Sequence, residues 1–369
     1  MTQLIKKLCG EWSEGMPLPT GENGDYWVVK GDATVELNGL TKHLTDGDWL
    51  TIAEDKLVAA PKWSYSRIST FDTCLLKYYY RYVNPFDPNQ EANTEAAHKG
   101  SCFHEMAEQM ESGKSLESMQ EVLEAKIVEH NVDRTKYSED EAFRRFMLFW
   151  PEYVTKKEAE GYVTRKEFTF KSNIDNHLYT GNLDLSLYKY KSDGSLEHAI
   201  IFDYKSPKSS SAASYKKQIV LYAYMVGQTQ GWDSQQIYDN IDCFIFFPFS
   251  DQKHDNDYDN MLASVKRVNY KPEDVDEVIK HNISIVREAD SLPWDTCDIP
   301  NLGSYTKFGC DYCPYLGSIE DKTTGFPGCK CSYDRGFRQN RGLKFESRLK
   351  KEAEKAAENL KKKEANESK

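Results

Sequence analysis

No window of the sequence approaches the apolar length of a membrane helix, which takes about 20 residues, so no membrane partner is expected. The N-terminus, MTQLIKKLCGEWSEG, lacks the apolar centre of a secretory signal, and the expectation is a soluble cytoplasmic chain, in a bacterium or an infected host cell. The phosphate-cradling pattern G-x-x-x-x-G-K-[ST] is absent from all 369 residues, so no nucleotide-driven motor of that type is expected in the chain itself. Positive charge is short as well: 48 Lys and Arg stand against 59 Asp and Glu, for a formal net charge of −11. That deficit does not exclude nucleic acid, because carboxylates gathered around a metal lower the sum while contact with DNA depends on local basic patches. Cysteine is not lacking. Nine cysteines in a chain without a secretory signal point to metal ligation or buried thiols rather than disulfides.

Residues 1–60 alternate short apolar runs with turn signals, and Asn38-Gly39 between Val35/Leu37 and Leu40 suits a tight hairpin. A small β module is predicted here. Residues 61–335 carry the chemistry, and 336–369, rich in Ala, Glu and Lys, form a charged helical or disordered tail. SYSRISTFDTCLLKYYYRYV has helical spacing, HKGSCFHEMAEQM is read as a helix opened by Gly100, and residues 115–160 are periodic helices whose Arg144, Arg145, Lys156 and Lys157 form solvated faces or touch phosphates. VTRKEFTF, IDCFIFFPF and MLASVKRVNY are predicted strands, and PEDVDEVIKHNISIVREADS a helix.

The chain is organised around Gly181 to Tyr222. LDLSLYKY and AIIFDY flank the turn signal SDG and predict a hairpin. Alternation along a strand sends Asp203 and Lys205 to one face and Tyr204 to the other. If Asp184 lies opposite, two carboxylates converge into an oxygen cage of the kind that hard divalent cations prefer. Gln218 and Tyr222, four apart on the helix that follows, share a face.

The order G-x-x-D, then a strand bearing D-Y-K, then Q-x-x-x-Y on a helix resembles the PD-(D/E)XK nuclease superfamily, in particular its RecB-type exonuclease branch with the nucleases of CRISPR adaptation and AddB. The resemblance spans roughly Ser64 to Cys331. It implies an α/β (α+β) restriction-endonuclease-like core, a mixed central sheet flanked by helices, with a cysteine-ligated metal centre joining both ends. It implies that Asp184, Asp203, Lys205, Gln218 and Tyr222 carry catalysis. His104, at G-x-x-x-H spacing, matches the metal-binding histidine of the family, and Asp184, Asp203, Glu167 in a lesser role and the Tyr204 carbonyl complete a site for Mn2+ or Mg2+. His98 and Cys102 match nothing.

Cys310-x-x-Cys313-Pro places two thiolates in a tight turn able to share one metal centre, with Cys329 and Cys331 following. From these residues alone, zinc is one reading. The resemblance implies a [4Fe-4S] cluster on Cys74, Cys310, Cys313 and Cys329, although Leu75 replaces the usual proline after Cys74 and a long insertion leaves Cys331 open as the fourth ligand. Cys243 is a packed thiol and Cys297 a bystander or a substitute.

The expected function is metal-dependent exonuclease action on DNA, at single-stranded or free ends, in recombination, repair or replication, with a helicase or recombination protein as partner. An endonuclease or spacer-processing nuclease shares the same motifs, and a catalytically silent DNA-binding scaffold is the reading from another class. GDYWVV and GDWL resemble short modules of phage structural proteins, which suggests phage origin and leaves a virion-associated role for residues 1–60 open.

Overall fold

The computed structural model describes residues 8–19, 26–37, 40–53, 56–59, 62–83, 95–132, 139–175, 177–207 and 211–292. These fall into two compact units, 8–65 with 95–286 and 66–83 with 287–292. Among the described residues no helix is long and apolar enough to cross a membrane.

Short apolar runs broken by turns make the N-terminal part of the first unit all β. β1 (Leu8–Trp12) runs parallel to β2 (Tyr26–Val29). β3 (Ala33–Leu37) and β4 (Leu40–Leu44) form a separate hairpin in which Leu37 pairs with Leu40, the register that a two-residue Asn-Gly loop gives. β5 (Trp49–Ala53) and β6 (Lys56–Ala59) complete a sheet of order β1-β2-β5-β6. Trp12, Val29, Ala33, Val35, Leu44 and Leu50 bury their side chains in its core.

A six-stranded mixed sheet carries the rest of the first unit. Its strands are β7 (Lys62–Trp63), β8 (Val163–Ile174), β9 (His177–Tyr190), β10 (Leu196–Tyr204), β11 (Ile241–Phe246) and β12 (Val265–Arg267). The order is β12-β11-β10-β9-β7, with β8 along the other edge of β9, so that Leu185 pairs with both Phe202 and Lys166. β9 and β10 form the expected antiparallel hairpin, while β10 and β11 are parallel. Leu196 to Tyr204 is buried on both faces apart from Glu197 and His198, the signature of a strand covered by helices on either side.

The helices follow the apolar periodicity. They are α1 (Tyr65–Thr73), α2 (Leu75–Tyr78), α3 (Glu95–Glu108), α4 (Leu116–Glu129), α5 (Glu139–Phe149), α6 (Lys156–Ala159), α7 (Lys216–Gln228), α8 (Ser234–Asn240), α9 (Asp257–Ser264) and α10 (Pro272–Ser291). A π-helical stretch, Trp150–Thr155, joins α5 to α6. Phe103 of α3 and Phe146 and Phe149 of α5 pack with Phe202, Tyr204 and Phe246 into one aromatic core; the Phe149 and Phe246 rings stack at 4.5 Å. α7 and α8 form the crossover between the parallel strands β10 and β11. The carboxyl end of a parallel strand is the end at which α/β sheets hold their ligands, and Ser206, just after β10, lines a cavity there.

In the second unit α1 and α2 are separated at Cys74, and a π-helical turn, Tyr79–Val83, follows. Arg67 donates to the Tyr78 hydroxyl (3.2 Å), and its guanidinium lies over the Tyr78 and Tyr82 rings at 5.5 and 5.1 Å.

Three expectations are corrected. α3 begins at Glu95, so Gly100 lies inside the helix rather than opening it. MLASVKRVNY is not one strand: Asn256 caps α9 by accepting from the Asp259 N–H (2.9 Å), which carries the helix to Ser264 and leaves only Val265–Arg267 extended. Arg145 belongs neither to a solvated face nor to a phosphate contact; it is buried beside Phe146 and donates to the Pro248 carbonyl (2.7 Å). Lys156 and Lys157 do lie on a solvated face, paired with Glu152 and Glu160.

Candidate active site

Asp203 and Lys205 leave the end of β10 on the same side, and the ammonium sits 2.5 Å from Asp203 Oδ2. Asp203 is 3 % exposed, and burial together with the neighbouring Asp184 charge pushes its carboxyl up to about 7, with Lys205 working in the opposite direction. Asp184 lies within β9. Its Oδ2 accepts from the Tyr204 N–H (2.5 Å) and its Oδ1 lies 3.1 Å from His104 Nδ1. The Tyr204 side chain turns away into the aromatic core, so β10 offers the site a carboxylate, a backbone amide and an ammonium from consecutive residues.

Glu167 enters from β8. Lys166 pairs with Leu185 and Phe168 with Leu183, so Glu167 stands opposite Asp184, yet that pair is missing from the ladder. The Glu167 φ of +43° is a left-handed conformation that glycine tolerates and other residues adopt at a cost of about 1–3 kcal/mol. Two facing carboxylates also repel. Strain and repulsion meet at the point where His104 Nδ1 lies 3.7 Å from Glu167 Oε1, and one ligand atom each from His104, Glu167 and Asp184 falls within 4.8 Å of the others. Burial disfavours a charged imidazole at this point, but hydrogen bonding and charge from Asp184 and Glu167 prevail and push His104 up to about 10. In the protein alone, a proton supplies the positive charge that these carboxylates demand. One nitrogen and several carboxylate oxygens around one point fit a divalent cation.

A model of the PD-(D/E)XK nuclease superfamily matches residues 62–318. The chain belongs to this superfamily. Among solved structures, a candidate exonuclease from Eubacterium rectale matches at 11% sequence identity and a TM-score of 0.37, over 64% of this chain and 85% of that one. No curated protein matches the sequence.

The nuclease uses its motif glycines for close approach. A Cβ on Gly181 would stand 2.9 Å from both Phe170 Cζ and Tyr222 Cε1, and one on Gly100 would stand 2.9 Å from Ser206 Oγ. Gly181 thus lets Tyr222 lie against β9 three residues before Asp184, and Gly100 lets α3 carry His104 up to the turn after Lys205. Gln218 donates to the Tyr222 hydroxyl (3.0 Å) and reaches Asp203 Oδ1 at 3.5 Å. Lys99, buried on α3, donates to the Ser206 carbonyl (3.1 Å) and ties the helix to that turn.

Sequence reasoning missed the residues that line the adjoining cavity of about 480 Å³, where Ser101, Glu105, Glu108 and Ser206 join His104 and Glu167. Glu108 was within reach of a helical-face argument, being four residues after His104; Ser206, in an irregular turn, offered no periodic signal. His98, expected to be a bystander, pairs with the His130 carbonyl (3.0 Å), and Cys102 and Cys243 are buried. Cys74 is half-buried with a free thiol. Cys297, Cys310, Cys313, Cys329 and Cys331 lie outside the described residues.

Proposed function

We propose that this nuclease is a divalent-metal-dependent deoxyribonuclease that acts exonucleolytically on DNA with a single-stranded or free end, in recombination, repair or replication. The observation that carries the reading is the meeting of His104, Glu167 and Asp184 beside the Asp203–Lys205 pair. The motif order shared with RecB-type exonucleases supports the exonucleolytic mode. A helicase or recombination protein would supply the opened strand.

In this reading His104, Glu167, Asp184, Asp203 and the Tyr204 carbonyl would hold Mn2+ or Mg2+. A metal bound there would supply Lewis acidity and a more acidic water. Hydrolysis forms one bond from the water oxygen to phosphorus and breaks one P–O ester bond, the water proton leaving and the departing alkoxide gaining one. Lys205 places its ammonium against the charge that grows on the phosphoryl oxygens. Tyr204 fixes Asp184 through its N–H, and Gln218, braced by Tyr222, holds the second oxygen of Asp203. His104 would serve as a ligand in its neutral form, its proton passing to solvent.

We further place a [4Fe-4S] cluster on Cys74, Cys310, Cys313 and Cys329 or Cys331, with structural zinc as the alternative occupant. Cys74 supports this by standing half-buried between α1 and α2, with no disulfide among the described residues.

The deciding experiment digests end-labelled linear single-stranded DNA beside closed circles, with Mn2+, using the wild type and Lys205→Ala. Loss of the linear strand alone, abolished in the variant, is expected. Cutting of circles makes the enzyme an endonuclease. No cleavage of either, by protein whose cysteine centre is loaded, leaves the DNA-binding scaffold as the better reading.

A further inference from the structure

Lys205 is held from three directions. Its backbone N–H donates to the Phe246 carbonyl (2.9 Å), which fixes the end of β10 against β11. Its ammonium is 2.5 Å from Asp203 Oδ2. On a further side the Tyr215 ring centroid lies 5.2 Å from Nζ, within the reach of about 6 Å over which an aromatic face attracts a cation.

The Tyr215 ring is itself held in place. The residue stands at the N-terminal boundary of α7, with φ −109° and ψ 2°, and its ring lies 5.9 Å from that of Phe247, which is fully buried. Tyr215, Gln218 and Tyr222 occupy positions i, i+3 and i+7, hence one face of the chain entering and forming α7. That single face addresses both members of the ion pair, with Tyr215 against the ammonium and Gln218 against the carboxylate.

The two contacts on the ammonium differ in kind. A carboxylate at close range neutralises an ammonium and draws it in. A ring face attracts the same cation through its quadrupole while contributing no net charge and no proton acceptor. An ammonium paired with the carboxylate and backed by the ring keeps a fixed position, and the ring adds no second negative charge to it. We propose that Tyr215 is a positioning residue whose ring face backs the Lys205 ammonium, already paired with Asp203, and fixes the direction in which it meets the phosphate under attack. The proposal rests on the nuclease reading of the site. It requires the aromatic face and does not require the hydroxyl.

The test uses the full-length protein with Tyr215→Leu, Tyr215→Phe and Lys205→Ala. Steady-state cleavage of a single-stranded oligonucleotide with Mn2+ is measured alongside the 13Cε resonance of Lys205 in metal-free protein, assigned by its loss in Lys205→Ala. Tyr215→Leu lowers kcat by about tenfold with KM unchanged, and Tyr215→Phe stays within about twofold of the wild type. The Lys205 resonance carries a ring-current displacement in the wild type and Tyr215→Phe that disappears in Tyr215→Leu. A rise in KM at constant kcat would make Tyr215 a base-stacking platform and overturn the proposal, as would an undisplaced Lys205 resonance in the wild type. Lys205→Ala that cleaves like the wild type sinks the nuclease assignment of the site and this proposal together. Inactive Lys205→Ala beside fully active Tyr215→Leu sinks the role of Tyr215 alone.

Discussion

Gly181 and Tyr222 approach so closely that a methyl group on the glycine would stand 2.9 Å from Cε1 of the ring. Neither neighbour can yield freely, since Phe170 packs edge-on against Tyr222 at 5.6 Å and both rings are buried. Gly181→Ala should therefore cost about 1–3 kcal/mol by overpacking. It should also displace the hydroxyl that holds Gln218 beside Asp203, lowering kcat by about ten- to a hundredfold. Urea denaturation and steady-state cleavage check the two effects separately. Unchanged kcat in a correctly folded variant would remove Tyr222 and Gln218 from the working site.

His104 predicts a pH dependence of stability in metal-free protein. Its ordinary value of 6.5 is raised to about 10 because Asp184 and Glu167 face it and outweigh burial. A group raised on folding contributes stability that is fully present below its unfolded value and is lost as the pH rises through the folded one. His104→Gln should thus destabilise EDTA-treated protein most at pH 6 and below, on the order of 2 kcal/mol after screening by solvent. The gap should close as the pH rises toward 10. Thermal melts of both proteins across that range read it directly; a gap that widens with pH contradicts the assignment.

How much of this was legible in the sequence depended on whether a residue sat on a periodic element. The β9–β10 hairpin, the shared side of Asp203 and Lys205 and the shared face of Gln218 and Tyr222 follow from strand and helix periods, and each is present. α10, Pro272–Ser291, matches its expected span. The prominence of Glu167 was not legible, because it depends on which residue of β9 faces it and on a left-handed φ that no local pattern in VTRKEFTF announces. Arg145 was misread because an arginine on a helix with an apolar stripe can point to water or to a buried carbonyl, and only the placement of Pro248, 103 residues away, decides. Gly100 shows the converse: its spacing to His104 was visible, but its purpose lies in the approach of Ser206, which only the folded chain reveals.

Asp48 ties the turn before β5 to the sheet that carries the site. It accepts from the Thr45 N–H (2.9 Å), pairs with Lys62 of β7 and lies 3.8 Å from Lys171 of β8. Burial opposes its charge, but Lys62, the Thr45 amide and Lys171 together hold the carboxyl below its usual 3.8. A depressed carboxylate contributes stability that is present above its unfolded value and is lost as the pH falls through the folded one. Asp48→Asn should cost about 1–2 kcal/mol at neutral pH, since Lys62 keeps access to water, and progressively less below about pH 4. Urea midpoints at pH 7 and pH 3 would show it, and an equal cost at both would assign the effect to hydrogen bonding rather than charge.

The cysteine assignment predicts protein that is coloured when purified without air and that carries iron and acid-labile sulfide in equal amounts, about four of each per chain. Cys310→Ser or Cys74→Ser should lose both and melt at lower temperature, because a structural metal centre contributes directly to folding. Elemental analysis finding about one zinc and no sulfide would replace the cluster with a zinc site.

In the proposed metal-dependent reaction, the preference among divalent ions turns on His104. Nitrogen donors favour transition ions over alkaline earths, whereas an all-carboxylate site suits magnesium. With His104 Nδ1 only 3.1 Å from Asp184 Oδ1 and 3.7 Å from Glu167 Oε1, the imidazole shares whatever point those oxygens surround. Cleavage should be faster with Mn2+ than with Mg2+ at matched concentration, and His104→Asp should narrow or reverse that ratio while preserving activity with Mg2+. Calorimetric titration of each metal into both proteins separates binding from turnover, because the affinity for Mn2+ should fall in the variant even where kcat does not. Equal or better rates with Mg2+ in the wild type, together with unchanged Mn2+ affinity in the variant, would take His104 out of the ligand set. The motif histidine would then be left with the role it already has in the metal-free chain, as the cation that keeps Asp184 and Glu167 together.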